Sequence, residues 1–410
     1  MLDINFIRQN PDVVKKGIAS KNVNPDLVDI FLAIDDKWKK LVKNSEELKA
    51  EQKKVGKDNI DKAKKIKIEI QELENLLMEA EIERQKILES LPNLPFNDVP
   101  VGKNEDDNIV IREVGAKPEF DFTAKDHLEL GENLNLIEFE IGAKVSGSGF
   151  YYLKNEAVLL EFGLIRYVFD ILKEEGFEIL ITPDLARKKF YTGTGYLPKG
   201  PEAQIYEIKD VDLGLIATSE ITLAGIHSDE ILEKDDLPKK YAGFSHCFRM
   251  ESGGYGKYSK GLYRVNQFSK VEMYIYCLPE ESEKFHKHLL DIEEKIFKSL
   301  IIPYQVLEMC AGDLGNQAAK KYDLEAWMPG RGAWGEITST SNTTDFQARR
   351  LNIKYRENNK KSNFVHTLNG TAIALPRVII AILENYQQKD GSVLMPEVLQ
   401  KYLGFNKISR

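Results

Sequence analysis

The chain has 410 residues, enough for two domains and a large core, and its 42% hydrophobic and 30% charged content is that of a folded globular protein, which excludes wholesale disorder. A net charge of −8 argues against capture of nucleic acid by the whole molecular surface and leaves local basic patches open. No run of about 18 uncharged apolar residues is present, MLDINFIRQN lacks the basic start and apolar middle of a secretory leader, and Cys247, Cys277 and Cys310 are scattered without a CxxC pair, so the expectation is a cytoplasmic protein with no membrane partner.

The first segment reads as helix. From Leu27 the series Phe31, Ile34, Trp38, Leu41, Ser45, Leu48, Gln52, Val55 advances in steps of three and four, and a second runs Ala63, Ile66, Ile70, Leu73, Leu77, Ala80, Arg84, Ile87, Leu91. Between them GKDNI offers a helix stop at Gly56 and an N-cap at Asp58 or Asn59. Two such helices joined by a short turn make an antiparallel coiled-coil hairpin, an arm over about 27–91 whose limbs each extend roughly 45 Å. A parallel intermolecular coiled coil is the alternative, and the central turn breaks its register. Lys53, Lys54, Lys57, Lys64 and Lys65 crowd the tip. Such a run is a solvated helix face in most proteins; on a projecting arm it also suits a phosphate backbone.

PNLPFNDVPVGKNE (92–105) is Pro/Gly/Asn-rich and aperiodic, and it marks a boundary between an N-terminal domain over 1–100 and a second domain over 101–410. After it a helical pattern covers about 155–175, and FEILITP reads as a strand ending at Pro183. Short strands recur around 204–218, 241–249, 262–278, 303–309, 333–339 and 363–368, and a helix follows Pro376 to near Gln388. The strands outnumber the helices that parallel crossovers need and cluster as hairpins. The fold class expected is α+β: a long antiparallel two-helix coiled coil, then an antiparallel β-sheet flanked by helices. His286 and His288, on a helix rich in Glu and Lys, read as surface residues, and Trp327 and Trp334 as packing residues.

The chemistry concentrates in four places. FRMESGGYGKYSKGLYRVNQFSKVEM (248–273) reads as a β-hairpin with Arg249 and Glu251 on one strand face, Glu272 on the return strand, and a Gly/Lys loop that lets phosphates approach the backbone. Gly-rich hairpins with strand charges are also common surface features. ATSE (217–220) puts Thr218 and Glu220 on one side of a strand end, and GEITSTSN (335–342) sets small hydroxyls after Glu336. NGTAIALPRVIIAILENY (369–386) reads as a Gly turn leading into a helix with Arg377 in its first turn, where the helix N-terminus already favours anions. Together these offer arginines for a polyphosphate, carboxylates for Mg²⁺ and an ammonium group, and hydroxyls for a small polar ligand. Each alone is a weak signal.

Their order is the specific signal. The two-helix arm, VPVGKNEDDN, TSE, FRME, QFSKVEM, a GDLG segment, SNTTDFQARR and NGTA follow one another in a series that closely resembles the bacterial seryl-tRNA synthetases, class II aminoacyl-tRNA synthetases, over essentially the whole chain. Residues 166–183 are similar to class II motif 1, with Pro183 as its proline, 248–273 to motif 2 and 369–386 to motif 3. The resemblance implies a serine–tRNA ligase: a homodimer that uses ATP as co-substrate with Mg²⁺, and no zinc, to activate L-serine as seryl-adenylate and transfer it to tRNA(Ser) and to tRNA(Sec). It implies catalytic roles for Arg249, Glu272 and Arg377. ATP would meet Arg249, Met250, Glu251, Val265, Phe268, Glu336, Ile337, Thr338, Ser339 and Arg377, with Glu336 and Ser339 on the metal. Serine would meet Thr218, Ser219, Glu220, Arg249, Glu272 and Thr371, and the tip lysines would meet tRNA.

The chain departs from the family pattern in places. TSE replaces the more familiar TAE, Gly335 stands where an arginine commonly precedes the glutamate, and Pro376 replaces a usual glycine. The motif 2 loop reads SGGYGKYSKG where AGxxGxxTxG is usual. None of these removes a charged group that activation requires. KYSKG is superficially similar to the lysine signature of class I synthetases, but no HIGH-type element accompanies it, and His246 and Cys247 lack partners at zinc spacing. Two other uses stay open: a ligase that loads an amino acid onto a carrier protein, against which the full arm argues, and a non-catalytic coiled-coil scaffold, against which Arg249, Glu272 and Arg377 argue.

Overall fold

A computed structural model describes residues 1–55, 59–196, 205–250, 261–358 and 360–410, and the chain divides into two compact units, Met1–Pro95 and Phe96–Arg410. The first unit is helical: α1 (Ile4–Gln9), α2 (Pro11–Ser20), α3 (Asp26–Lys54) and α4 (Ile60–Ser90). Asp3 caps α1 by accepting from the Asn5 and Phe6 amides, and Pro11 opens α2 where a backbone N–H has no intrahelical partner. The long pair runs antiparallel: Lys49 meets Glu74 at 2.8 Å near one end, and Arg84 meets Asp35 at 2.7 Å near the other. Phe31, Ile34, Ser45, Ile66, Ile70 and Ala80 are buried along the seam, on the periodicity read from the sequence, and near the end of α4 the buried residue is Leu88, one place past the Ile87 of that series. α1 and α2 lie outside that periodicity; their Ile7, Val14 and Ile18 share a core with Val28, Phe31 and Leu88. Beside this core Asp35 is completely buried, accepts from Arg8 and Arg84, and has the Lys39 ammonium at 3.0 Å. Arg84 also covers the Trp38 ring, 4.5 Å from its centroid.

The second unit is organised by an eight-stranded sheet: β1 (Ile109–Val114), β2 (Glu178–Ile181), β3 (Lys239–Phe248), β4 (Gln267–Cys277), β5 (Tyr304–Glu308), β6 (Lys320–Met328), β7 (Ala333–Thr344) and β8 (His366–Ala374). Their spatial order is β1-β5-β6-β7-β8-β4-β3-β2, antiparallel throughout except for the parallel edge pair β2–β3. The main helices are α5 (Glu156–Glu174), α6 (Glu220–Ala224), α7 (Ser282–Ser299) and α8 (Leu375–Asn385). Leu160 and Leu164 of α5, Leu289 and Ile296 of α7, and Ile379 and Leu383 of α8 bury against Val271, Met273 and Ile275 of β4. Strand alternation turns Phe268, Lys270 and Glu272 the other way, followed by Tyr274 and Tyr276, which pack with Leu223 and Leu351. The α+β expectation holds, with one parallel edge added.

Four details differ from the sequence reading. NGTA is strand, not turn: Gly370 sits inside β8 between Met273 and Thr340, and a Cβ there would come within 3.1 Å of both Glu293 Oε1 and Thr340 Oγ1. TSE leads into α6 instead of ending a strand. His286 is buried, not at the surface; its Nε2 lies 3.1 Å from the Thr340 carbonyl, and burial drives its pKa down to about 4. Residues 96–99 pack in the second unit, with the Phe96 amide bonded to Ala319 and Val99 against Met309. Trp327 and Trp334 do pack, at 5.4 Å between rings on β6 and β7, with Lys117 4.1 and 4.7 Å from their centroids.

Candidate active site

Three adjacent central strands, β7, β8 and β4, and the first turn of α8 bring Phe268, Glu336, Thr371 and Arg377 to one cleft of about 520 Å³, joined by Val265 just before β4 and Arg249 just after β3. The Arg249 Nε donates to the Ala217 carbonyl at 3.3 Å, and its guanidinium lies 5.2 Å from the Phe268 ring centroid. Arg377 donates to the Glu336 carbonyl at 3.0 Å and meets its carboxylate at 3.2 Å. Tyr263 stands between two cations, its ring 4.8 Å from Arg377 and 4.5 Å from Arg331. A Cβ on Gly335 would approach both Arg331 and Tyr263 to 3.1 Å, so a side chain at that departure from the family pattern crowds this stack. Fixed guanidiniums beside an aromatic face suit a polyphosphate attached to a planar base.

Burial opposes the charge on Glu336, but Arg377, Lys321 and Arg249 outweigh it and hold the carboxyl well below its usual range. Three residues on along β7 is Ser339, and opposite it on β6 stands Asp323, whose pKa burial raises against the pull of Lys321. An ionised carboxylate and a hydroxyl are hard oxygen donors of the kind Mg²⁺ takes, leaving its other positions to phosphate oxygens and water. Among the described residues no group of three His, Cys, Asp or Glu is placed to hold a metal ion.

Next to Lys270 and Thr371, which line the cleft, stand buried carboxylates. Glu272 is buried, ion-paired with Lys270, and accepts from the Thr371 hydroxyl at 3.1 Å; Lys270 Nζ is also 3.4 Å from that hydroxyl. Glu220, at the start of α6, accepts from Gln347 at 2.7 Å, Asn369 at 3.1 Å and Tyr196 at 3.3 Å. Burial, then the Glu272 charge, pushes its pKa up to about 7, against the pull of Gln347, Lys270 and Tyr196. The Thr218 hydroxyl accepts from the Glu220 amide, and the Ser219 hydroxyl donates to the Gly243 carbonyl at 3.0 Å. The extra hydroxyl of TSE thus ties this turn to β3. Two carboxylates flanked by hydroxyl and amide groups suit a small ligand bearing an ammonium and a hydroxyl.

Ile337 and Thr338 also line the cleft: Ile337 reaches into the main core behind it, and the Thr338 hydroxyl donates to buried Glu293 at 2.9 Å. Met250 is exposed beside Arg249. Lys53, Lys54, Lys64 and Lys65 are exposed where α3 ends and α4 begins. Glu251 and Lys57 lie outside the described residues. Sequence reasoning did not single out Lys270, Gln347, Asn369, Tyr263, Asp323 or Tyr196. Lys270 had a signal, since it shares a strand face with Glu272, and Gln347 and Asn369 lie within SNTTDFQARR and NGTA. Tyr196 has no local pattern to mark it.

Comparison with known proteins identifies the family. A family model for the seryl-tRNA synthetase N-terminal domain matches residues 1–95, and one for the tRNA synthetase class II core domain (G, H, P, S and T) matches residues 206–386. The chain is 52% identical to a serine–tRNA ligase of Dictyoglomus turgidum, covering 100% of this chain and 99% of the relative, and 48% identical to one of Treponema denticola, covering 100% of each. Among solved structures, the seryl-tRNA synthetase of Pyrococcus horikoshii complexed with ATP superposes with a TM-score of 0.93 at 42% identity, over 100% of this chain and 99% of that one. With its helical hairpin, its sheet and its full-length relatives, the chain belongs to the seryl-tRNA synthetase family of class II aminoacyl-tRNA synthetases.

Proposed function

We propose that the cleft activates L-serine with ATP to form seryl-adenylate, then transfers the seryl group to tRNA(Ser) and also to tRNA(Sec). The observation that carries the reading is the convergence of Arg249, Arg377 and Glu336 on a cleft also lined by Lys270 and Thr371, which both bond to buried Glu272. The ATP complex of the Pyrococcus horikoshii relative and the names of the curated relatives support it.

A serine carboxylate oxygen bonds to the α-phosphorus as the bond to pyrophosphate breaks, so the protein's task is alignment and charge neutralisation. Arg249 holds the α-phosphate and the serine carboxylate, Arg377 reaches the γ-phosphate, Phe268 stacks on adenine with Val265 lining that pocket, and Glu251 contacts ATP. Ile337 and Thr338 complete the wall, and Met250 follows Arg249. Glu336 and Ser339 hold Mg²⁺, which supplies further neutralisation of the polyphosphate when bound. Glu220, with Thr218 and Ser219, receives the serine ammonium, Glu272 meets both the ammonium and the hydroxyl, and Thr371 meets the hydroxyl. A substrate lacking the hydroxyl leaves buried Glu272 and Thr371 with a lost partner, which favours serine over alanine; threonine must be refused by size.

The exposed lysines at the arm tip support recognition of tRNA by shape and phosphate. Exposed Leu159 and Phe162 on α5 with Ile181 on β2 give the motif 1 region an apolar surface suited to a homodimer. Three buried, unpaired cysteines fit a cytoplasmic setting, and among the described residues no helix is long and apolar enough to cross a membrane. Pyrophosphate exchange over a panel of amino acids, followed by charging of total tRNA, tests the reading. Serine-dependent exchange with charging is expected. Exchange without charging favours loading of a carrier protein, and absence of serine-dependent exchange overturns the assignment. Alanine at Lys53, Lys54, Lys64 and Lys65 should raise the tRNA KM and flatten its salt dependence while leaving exchange intact; an unchanged tRNA KM removes the arm from the interface.

A further inference from the structure

Gln347 lies in the helix Phe346–Leu351 that follows β7 and is completely buried. Its amide group cannot turn over. The Thr194 carbonyl, 3.1 Å from Nε2, can only accept, so the nitrogen must face it and the Glu220 carboxylate at 2.7 Å. The amide oxygen on the other side accepts from the hydroxyls of Tyr274 at 2.7 Å and Thr367 at 3.3 Å, and the Thr367 hydroxyl is itself 2.6 Å from that of Thr343. Three other partners on separate elements, Thr194, Tyr274 and Thr367, therefore fix the direction of the bond to Glu220. Glu220 meets only neutral donors among the described residues: Gln347, Asn369 and Tyr196. The titratable and charged groups that face it are Glu272 and Lys270 from one face of β4, Tyr274 further along that strand, and Tyr196.

We propose that Gln347 is the positioning residue that aims Glu220 at the ammonium group of the amino acid substrate and steadies its negative charge. The proposal rests on the reading of Glu220 as the ammonium-binding carboxylate. A buried carboxylate with no formal cation bonded to it is ready for a substrate cation, provided its donors keep it in place until one arrives. Gln347 leads the groups that draw Glu220 down from the value burial sets. Loss of its N–H therefore moves the ionisation of Glu220 to higher pH as well as freeing its rotamer.

The test uses the full-length enzyme and serine-dependent pyrophosphate exchange across the neutral pH range. Gln347→Glu keeps the shape and the oxygen that faces Tyr274 and Thr367 while removing the amide donor; Gln347→Met removes both. For Gln347→Glu the expected result is a rise of about tenfold in serine KM at neutral pH, with kcat and ATP KM nearly unchanged. The pH at which kcat/KM for serine climbs should move upward by about one unit. Glu220→Gln, measured alongside, separates the two layers. If Glu220→Gln raises serine KM but Gln347→Glu leaves both KM and pH profile unmoved, Gln347 only fills space and the proposal is overturned. If Glu220→Gln leaves serine KM unchanged, the assignment of Glu220 itself fails. If Gln347→Met is too unstable to assay, Gln347→Glu decides the matter by its pH profile.

Discussion

Replacing Asp35 by alanine should loosen the first unit selectively. The acid is 0% exposed, against 12% for the Arg84 side chain, 29% for Arg8 and 42% for Lys39. Lys39 recovers its hydration easily and carries little of the effect. Arg8 recovers part of its own, whereas Arg84 stays against the Trp38 ring with its guanidinium stripped of its partner. Removing one member of a buried ion pair costs about 3–5 kcal/mol, and one deeply held cation out of three argues for the lower end, ~3 kcal/mol. For a unit of this size each kcal/mol lowers the melting temperature by about 4–8 °C, so a fall of roughly 12–24 °C follows. Burial works against the charge on Asp35, yet Arg8, Lys39 and Arg84 hold its carboxyl well below the ordinary 3.8. The folded value thus lies below the unfolded one, and the stabilisation is full above that ordinary value and is lost progressively as pH falls from it through the lower folded value. Segment-resolved hydrogen exchange on the intact chain reads the effect: opening should accelerate within 1–95 while 96–410 and serine-dependent pyrophosphate exchange stay unchanged, and the tRNA KM should rise. A loss below about 1 kcal/mol, or an equal loss of pyrophosphate exchange, would mean that the Asp35 ion pairs do not hold the first unit together.

His286 is lowered from 6.5 to about 4 by burial, so the unfolded chain binds its proton first. Between those values the second unit should lose stability at roughly 1.4 kcal/mol per pH unit as pH falls, and His286→Gln should flatten that slope in pH-resolved melting. A slope that persists in the variant assigns the effect elsewhere. Glu336→Gln should raise the Mg²⁺ concentration needed for half-maximal pyrophosphate exchange by about tenfold or more while serine KM holds. An unaltered Mg²⁺ requirement would take Glu336 out of the metal site.

The parts of the fold that sequence makes legible are those with one dominant period. The seam of α3 and α4 follows steps of three and four for some 30 residues each, and no competing pattern interrupts it. β6 escapes notice although Tyr322, Leu324, Ala326 and Met328 alternate inward, because lysines and acids occupy its outward positions and give it the look of a loop. β1 is harder, since its residues are almost all exposed and no inward face exists to betray it. At the site, the charged groups that stand inside recognisable motifs are legible, and the ATP-side residues Arg249, Phe268, Glu336 and Arg377 do converge. The supporting shell is not: the meeting of Tyr196, Gln347 and Asn369 on Glu220 spans residues 196 to 369, and only the folded sheet brings them together. Glycine also misleads there, because Gly370 is dictated by the Glu293 and Thr340 oxygens behind it and not by a turn.

The arm is a lever, and its root matters more than its shaft. Lys54 lies 19 residues beyond Asp35 on α3, a reach of about 28 Å at 1.5 Å per residue. A tilt of only about 6° at the root sweeps the far end through ~3 Å, the length of a hydrogen bond. A shaft with a greasy, slippery footing would spread its lysines over a blur wider than any single hydrogen bond. The directional bonds that Asp35 receives from α1 and α4 act instead as a bearing, turning a small angular tolerance at the base into a fixed address at the tip.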